Sequence, residues 1–347
     1  MDGQTGTAPG AARLDLTPRP LALSVDELVA GATHRKAFRT SDAKSGSGFE
    51  RLVIDGESYV LKTMHVDDDW IARSVGDMTC RPVTVWASGL LDAVPASIDH
   101  AVMGAATGLG RHGWGGALLM RDVGSRLVPP GDTIIPLGQH AAFIADLAAL
   151  SARFWAWRDT IGLLPASIRW TFFGPDMLEV ERGRGWPDAV PEMADRGWHE
   201  FAVRAPADVV TLVADLRNAP WAISEAVAAT PSTLLHGDWK LGNVGSHADG
   251  RTILIDWAYP GEGPACHDLA WYLAINRVRL PESKEDTIAR FRADLERNGI
   301  GTAGWWDRQL GLCLLGAAVQ FGWEKALGDT DELGWWADRA REGGAWL

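Results

Sequence analysis

Residues 234–257 read LLHGDWKLGNVGSHADGRTILIDW. Among them are the carboxylates Asp238 and Asp256, the carboxamide Asn243, Lys240 and His236. An apolar run stops just before Asp238 and a second stops at Asp256, with Asp249-Gly250 as a turn signal between them. A short buried strand that ends on a carboxylate leaves that carboxylate at the edge of a cleft. If the hairpin between the runs folds back, Asp238, Asn243 and Asp256 converge. A few protein oxygens with space left for phosphate oxygens and water suit Mg²⁺.

The elements that must position these groups follow from the patterning. Residues 1–20, rich in Gly, Ala, Pro and Thr, read as a flexible tail. Ser24 and Glu27 form a capping box for a short helix. A Ser/Gly stretch leads into RLVIDGESYVLKTM, two β-type runs split by Asp55-Gly56, a hairpin signal. Phe143, Leu147, Leu150 and Phe154 recur on one face and predict a helix over 139–157. Residues 158–206 are rich in loops and Trp and show no clear period. A helix is expected over 208–229, short strands over 233–235 and 252–255, and helices from His267 onward. Strands therefore dominate early and helices late, and 347 residues fit two lobes.

The pattern His236-Gly237-Asp238, then Asn243, then Ile255-Asp256-Trp257 resembles the catalytic and metal-binding loops of the aminoglycoside phosphotransferase and choline kinase superfamily. That superfamily shares the protein-kinase fold. The resemblance implies an α+β, two-lobed architecture: a small antiparallel-sheet N-lobe over 21–120 and a larger, mainly helical C-lobe over 121–347. It implies an ATP-dependent transfer of phosphate to a hydroxyl of a small molecule, with ATP and Mg²⁺ as cofactors. Asp238 would take or orient the acceptor proton, and Asn243 and Asp256 would hold Mg²⁺. His236 would brace the loop. Lys240 stands where many antibiotic kinases have His, and could reach the γ-phosphate; its alternative is a solvated surface lysine.

The same resemblance assigns the nucleotide site. Lys62, at the end of the 59–61 strand, would clamp the α- and β-phosphates. Ser47 and Gly48, in the stretch 45–49, would cover them. Arg121 and Val123 would offer backbone groups to adenine where the lobes join. No Glu occurs between Met64 and Asp99, so Asp77 is the expected acidic partner of Lys62, with Asp69 as the alternative. Gly263-Pro264 followed by Asp268 is similar to the family's continuation, where that Asp braces the catalytic loop. The interval from Asp256 to Asp268 is short and no Ala-Pro-Glu appears, which favours a small acceptor over a protein substrate. A non-catalytic nucleotide-binding pseudokinase is the alternative, and a protein kinase a further one.

Composition sets outer bounds. A formal net charge of -12 argues against a nucleic-acid partner. Three scattered cysteines without a CxxC pair read as reduced thiols in a cytoplasmic protein. No signal peptide is expected, and the apolar run 310–319 is too short to span a membrane, reading instead as a buried core helix. Of 18 Trp residues, 15 follow position 150. The Trp-rich segments 154–198 and 305–336 are expected to build an acceptor wall, and Glu179, Glu181 and Asp188 to suit amines. An aminoglycoside-like antibiotic, an amino sugar and a choline-like alcohol all remain open as acceptor, as does the oligomeric state.

Overall fold

The computed structural model describes residues 14, 16–39 and 46–347. Its N-terminal part is a five-stranded antiparallel sheet in the order β1-β2-β3-β6-β5. The strands are β1 (His34–Phe38), β2 (Gly48–Ile54), β3 (Glu57–Met64), β5 (Val102–Leu109) and β6 (Gly115–Arg121). Asp55 and Gly56 have φ of 51° and 85°, the left-handed pair a two-residue hairpin loop needs. That turn fixes the β2–β3 register, with Phe49 opposite Lys62. Neighbouring strand residues face opposite ways. Leu61 packs with Val29, Leu52 and Leu119 beneath helix α1 (Val25–Leu28), so Lys62 faces the cleft.

Ser24 caps α1 as expected, its hydroxyl accepting from Glu27 N. Residues 16–20 depart from the expected loose tail. Arg19 N donates to Ala87 O at 2.9 Å, its guanidinium pairs with Asp92, and it lies over the Trp86 ring. Those contacts anchor the segment on helix α3 (Arg81–Ala87), which follows the short α2 (Trp70–Ser74).

The chain then turns helical: α4 (Leu137–Arg153), α5 (Ala166–Arg169), α6 (Pro175–Gly183) and α7 (Ala189–Arg204). The last three fill the segment in which no period was evident. The helix expected over 208–229 is two, α8 (Ala207–Asn218) and α9 (Trp221–Val227), because Pro220 cannot continue the hydrogen-bond ladder. The rest is α10 (Cys266–Asn276), α11 (Lys284–Arg297), α12 (Trp306–Ala326) and α13 (Thr330–Gly344). Residues 312–319 of α12 are all buried, so this apolar run is a core helix. Among the described residues no helix is long and apolar enough to cross a membrane.

Two small sheets sit between these layers. Strand β7 (Thr233–Leu235) pairs with β10 (Gly261–Gly263). Strands β8 (Val244–Ser246) and β9 (Thr252–Leu254) form the hairpin before Asp256, and β9 also pairs in parallel with β4 (Ile98–Asp99). This α+β arrangement, an antiparallel sheet on a larger helical body, is the two-lobed kinase-like fold the motif implied.

Helix α12 can approach α5 because position 316 has no side chain. A Cβ built on Gly316 would lie 2.2 Å from the Trp170 ring, whose indole is fully buried. Gly316→Ala is therefore expected to destabilise the protein by about 1–3 kcal/mol. A second change, Trp170→Leu, should recover part of that loss. Thermal denaturation checks both; an unchanged melting temperature for Gly316→Ala would mean the helices yield freely.

Candidate active site

The segment between β7 and β8 is held from behind by α10. Asp268 accepts from His236 N at 2.8 Å and from Gly237 N at 2.9 Å. Further along the helix, Asn276 Oδ1 accepts from Leu241 N at 3.0 Å. His236 is fully buried and ties the loop to the next hairpin. Its Nδ1 lies 3.2 Å from Asp238 N and its Nε2 3.1 Å from Ile255 O. Those partners select the neutral tautomer, an acceptor at Nδ1 and a donor at Nε2. Burial agrees, pushing its pKa down to about 4. A neutral ring with both nitrogens engaged is a brace.

On this loop Asp238 is buried. Its Oδ2 accepts from Lys240 Nζ at 2.7 Å and Asn243 Nδ2 at 2.8 Å, and its Oδ1 accepts from Trp271 Nε1 at 2.9 Å. Burial pushes the Asp238 pKa up, against the pull of Lys240. Lys240 is thus turned onto the carboxylate, away from the bulk-solvent alternative. Asn243 also donates to Asp238 O at 3.0 Å, which leaves its Oδ1 without a donor among the described residues.

Asp256 follows β9 with φ of 65°, a left-handed conformation uncommon outside glycine. Such residues cost on the order of 1–3 kcal/mol and collect at functional sites. Its carboxylate pairs with Lys62 Nζ at 2.7 Å. Burial raises the Asp256 pKa, but Lys62 and Lys240 outweigh it and the net shift is down, so the group is an anion. Asn243 Oδ1 and Asp256 Oδ2 are two oxygens from one cleft with no hydrogen-bond donor among the described residues, a sparse donor set that fits Mg²⁺.

The expected partner of Lys62 is corrected here. Asp77 accepts from Thr79 N and from Arg81 N, at 2.9 Å for the latter, and so caps α3. Asp69 caps α2 through Ile71 N and Ala72 N and takes the Ser47 hydroxyl at 3.0 Å. Both short helices lack other side-chain caps, and the orphan N–H groups claim the carboxylates. Lys62 turns to Asp256 instead. Asp77 still lines the cleft beside Lys62, Asp238 and Asp256.

An open cavity lies between the sheet and the β8–β9 hairpin. Val60, Lys62, Met120 and Val102 line its upper side and Asn243, Ile255 and Asp256 its floor. Arg121 and Val123 are at its back edge. The Arg121 N–H already donates to Ala101 O, so its carbonyl is what it can offer; the Val123 carbonyl accepts from Arg126 N, so its N–H is. From the expected phosphate-covering stretch, Phe49 lines the cavity, whereas Ser47 and Gly48 do not. The Ser47 hydroxyl is directed at Asp69. Ser45 lies outside the described residues.

A further open cavity adjoins Asp238 and Lys240. Its wall is aromatic, but most of the expected indoles are elsewhere. Trp323, Phe321, Phe172 and Phe173 come from or lie within the two predicted segments, while Trp70, Tyr259 and Trp271 do not. Trp155 packs on Trp305, Trp170 on His267, and Trp198 donates to Phe173 O; these build the core. Indole bulk is needed wherever helices meet, so Trp density alone marks the core as readily as a pocket. The acidic residues proposed for amines are also otherwise engaged. Glu181 is buried against Arg73 at 2.7 Å, Asp188 lies 3.8 Å from the same guanidinium, and Glu179 is exposed on α6. Trp271 and Asn276 were not singled out from sequence. The available signal was their place on the helix that starts at the bracing Asp268.

The sequence profile of the Phosphotransferase enzyme family matches residues 83–305, more than half of the chain. A comparison with curated proteins gives no match. Among solved structures, the chain is similar to amicoumacin kinase in complex with AMP-PNP, Ca²⁺ and Ami, at 13% identity and a TM-score of 0.53, covering 92% of each chain. It is similar to choline kinase LicA from Streptococcus pneumoniae at 12% identity and a TM-score of 0.51, covering 93% of this chain and 98% of that one. It also resembles a microcompartment-associated aminopropanol kinase at 11% identity and a TM-score of 0.50, covering 94% and 92%. These likenesses show a shared fold, and the profile match shows descent: the chain belongs to the Phosphotransferase enzyme family.

Proposed function

We propose that this phosphotransferase is an ATP- and Mg²⁺-dependent kinase acting on a hydroxyl of a small molecule, with Asp238 as base. The observation that carries the proposal is the position of Asp238. It lines both the cleft that holds Lys62, Asn243 and Asp256 and the aromatic cavity. A nucleotide in the first and an alcohol in the second would meet at this carboxylate.

The residues then divide the work. The Arg121 carbonyl and Val123 N–H would pair with a purine edge. Lys62 would exchange Asp256 for the α- and β-phosphates. Asn243 and Asp256 would hold Mg²⁺, which when bound offsets phosphate charge. Asp238 accepts the proton of the acceptor hydroxyl as its oxygen bonds to the γ-phosphorus and the bond to the departing ADP oxygen breaks. Lys240, 2.7 Å from Asp238, stands where it can meet charge developing on the transferred group. The interval between Asp256 and α10 carries only β10, a three-residue strand, beside the site, which supports a small acceptor over a peptide. Similar structures are named for choline, aminopropanol and amicoumacin, which is why hydroxylated amines and antibiotics lead the acceptor classes to test.

Three outcomes are expected. Asp238→Asn should lower kcat by about 10²–10⁴-fold with little change in the KM for ATP, measured as acceptor-dependent ADP release. Near-wild-type turnover would remove Asp238 from the mechanism. In calorimetric titrations of ATP, Mg²⁺ should raise affinity in the wild type and far less in Asp256→Ala. Equal Mg²⁺ dependence in the two proteins would sink the metal assignment. Finally, Trp323→Ala should raise the KM for the acceptor and leave that for ATP unchanged, whereas Trp170→Leu should lower the melting temperature without such selectivity. The reverse pattern would place the acceptor outside the aromatic cavity.

A further inference from the structure

The indole of Trp271 touches the carboxylate of Asp238. The Asp238 carboxylate is held by three donors with an uneven division. Oδ2 takes Lys240 Nζ at 2.7 Å and Asn243 Nδ2 at 2.8 Å; Oδ1 takes Trp271 Nε1 alone, at 2.9 Å. An ionised carboxylate oxygen accepts about two hydrogen bonds. Oδ1 is therefore the oxygen with a lone pair left, and the one suited to receive the acceptor's proton. The terminal torsion of an Asp side chain is broad. Donors at Oδ2 alone leave the carboxylate plane free to swing about that oxygen. A third donor on Oδ1, from a separate element, fixes it.

The donor is itself fixed. Trp271 is 5% exposed and meets Phe321 edge-on, with ring centroids 4.8 Å apart. It rides on α10, whose Asp268 one turn earlier holds the loop backbone at His236 and Gly237. Burial alone does not explain the contact. The indole N–H groups of Trp86, Trp170, Trp239, Trp257 and Trp323 are buried without a partner among the described residues, so this core does not oblige an indole to find one. The Trp271 ring also forms part of the aromatic cavity wall.

We propose that Trp271 is the positioning residue of the base. Its N–H sets the plane of the Asp238 carboxylate and its ring faces the acceptor, so acceptor contact and base orientation are coupled through one side chain. This rests on the kinase reading above.

The test removes the N–H and little else. Site-specific replacement of Trp271 by 3-benzothienylalanine puts sulfur in place of N–H and keeps the ring's shape; Trp271→Phe is the genetically simple companion. Turnover is read as ADP release with choline, 1-amino-2-propanol or an aminoglycoside, whichever is used best, and with water as acceptor. The expected result is a kcat about 10–100-fold lower in both variants, as small misplacement of a reacting group produces. In the benzothienyl protein the KM values for ATP and acceptor should stay within about 2-fold, with an unchanged melting temperature. A benzothienyl protein with wild-type kcat overturns the proposal, and so does a raised acceptor KM at unchanged kcat, the pattern of a wall residue. Asp238→Asn, measured alongside, separates the two levels. If it turns over normally, the base assignment fails. If it is inactive while the benzothienyl protein is normal, the kinase reading stands and the role of Trp271 falls.

Discussion

The carboxylate of Asp268 accepts the N–H groups of His236 and Gly237 from inside the core, and the arrangement of the cleft depends on that anchor. A loop that presents polar groups to a cavity cannot satisfy its own backbone, and buried N–H groups need partners. Asp268 supplies two acceptors at the point where β7 ends. Burial costs it: its pKa is pushed up to about 6, against the pull of the buried Arg169 guanidinium. That guanidinium in turn donates to Tyr259 O at 2.9 Å, on the segment leading from Asp256 back toward α10. Loop, hairpin and helix are thus tied through one buried acid and one buried base.

Charge in the cleft is balanced by alternation. Lys62 pairs with Asp256 and Lys240 with Asp238, each at 2.7 Å. Two carboxylates close together repel, and each lysine offsets that repulsion. The ion pairs therefore keep both lysines in the cleft beside the carboxylates they neutralise. Each pair has one buried and one half-exposed partner, so a desolvation cost offsets part of the attraction.

The candidate catalytic segment was readable from sequence because its geometry is local. Asp238 and Asn243 sit on one short loop, and Asp256 is joined to it by a hairpin whose Asp249-Gly250 turn is also written locally. The β2–β3 hairpin was legible for the same reason: Asp55-Gly56 accepts positive φ, and strand alternation then sends Lys62 to the cleft face. Pairings between distant segments were not legible. Asp77 and Asp69 are plausible acids near Lys62 in the chain, yet helix N-termini claim both, and the lysine's counter-charge lies 194 positions away.

What the sequence by itself determined was which polar residues gather in the cleft, Asp238, Lys240, Asn243 and Asp256, together with the order of strands before helices, since spacing and periodicity fix local geometry. Only the tertiary structure decided which aromatic rings face a cavity and which fill the core. Indoles in both roles share composition and helical spacing, and they differ only in what packs on their far side. The tertiary structure also decided that α10, through Asp268, Trp271 and Asn276, holds the loop at three points. Those contacts span 31 to 35 positions in the chain, and no local pattern encodes them because hydrogen bonds between elements form only once the elements have packed.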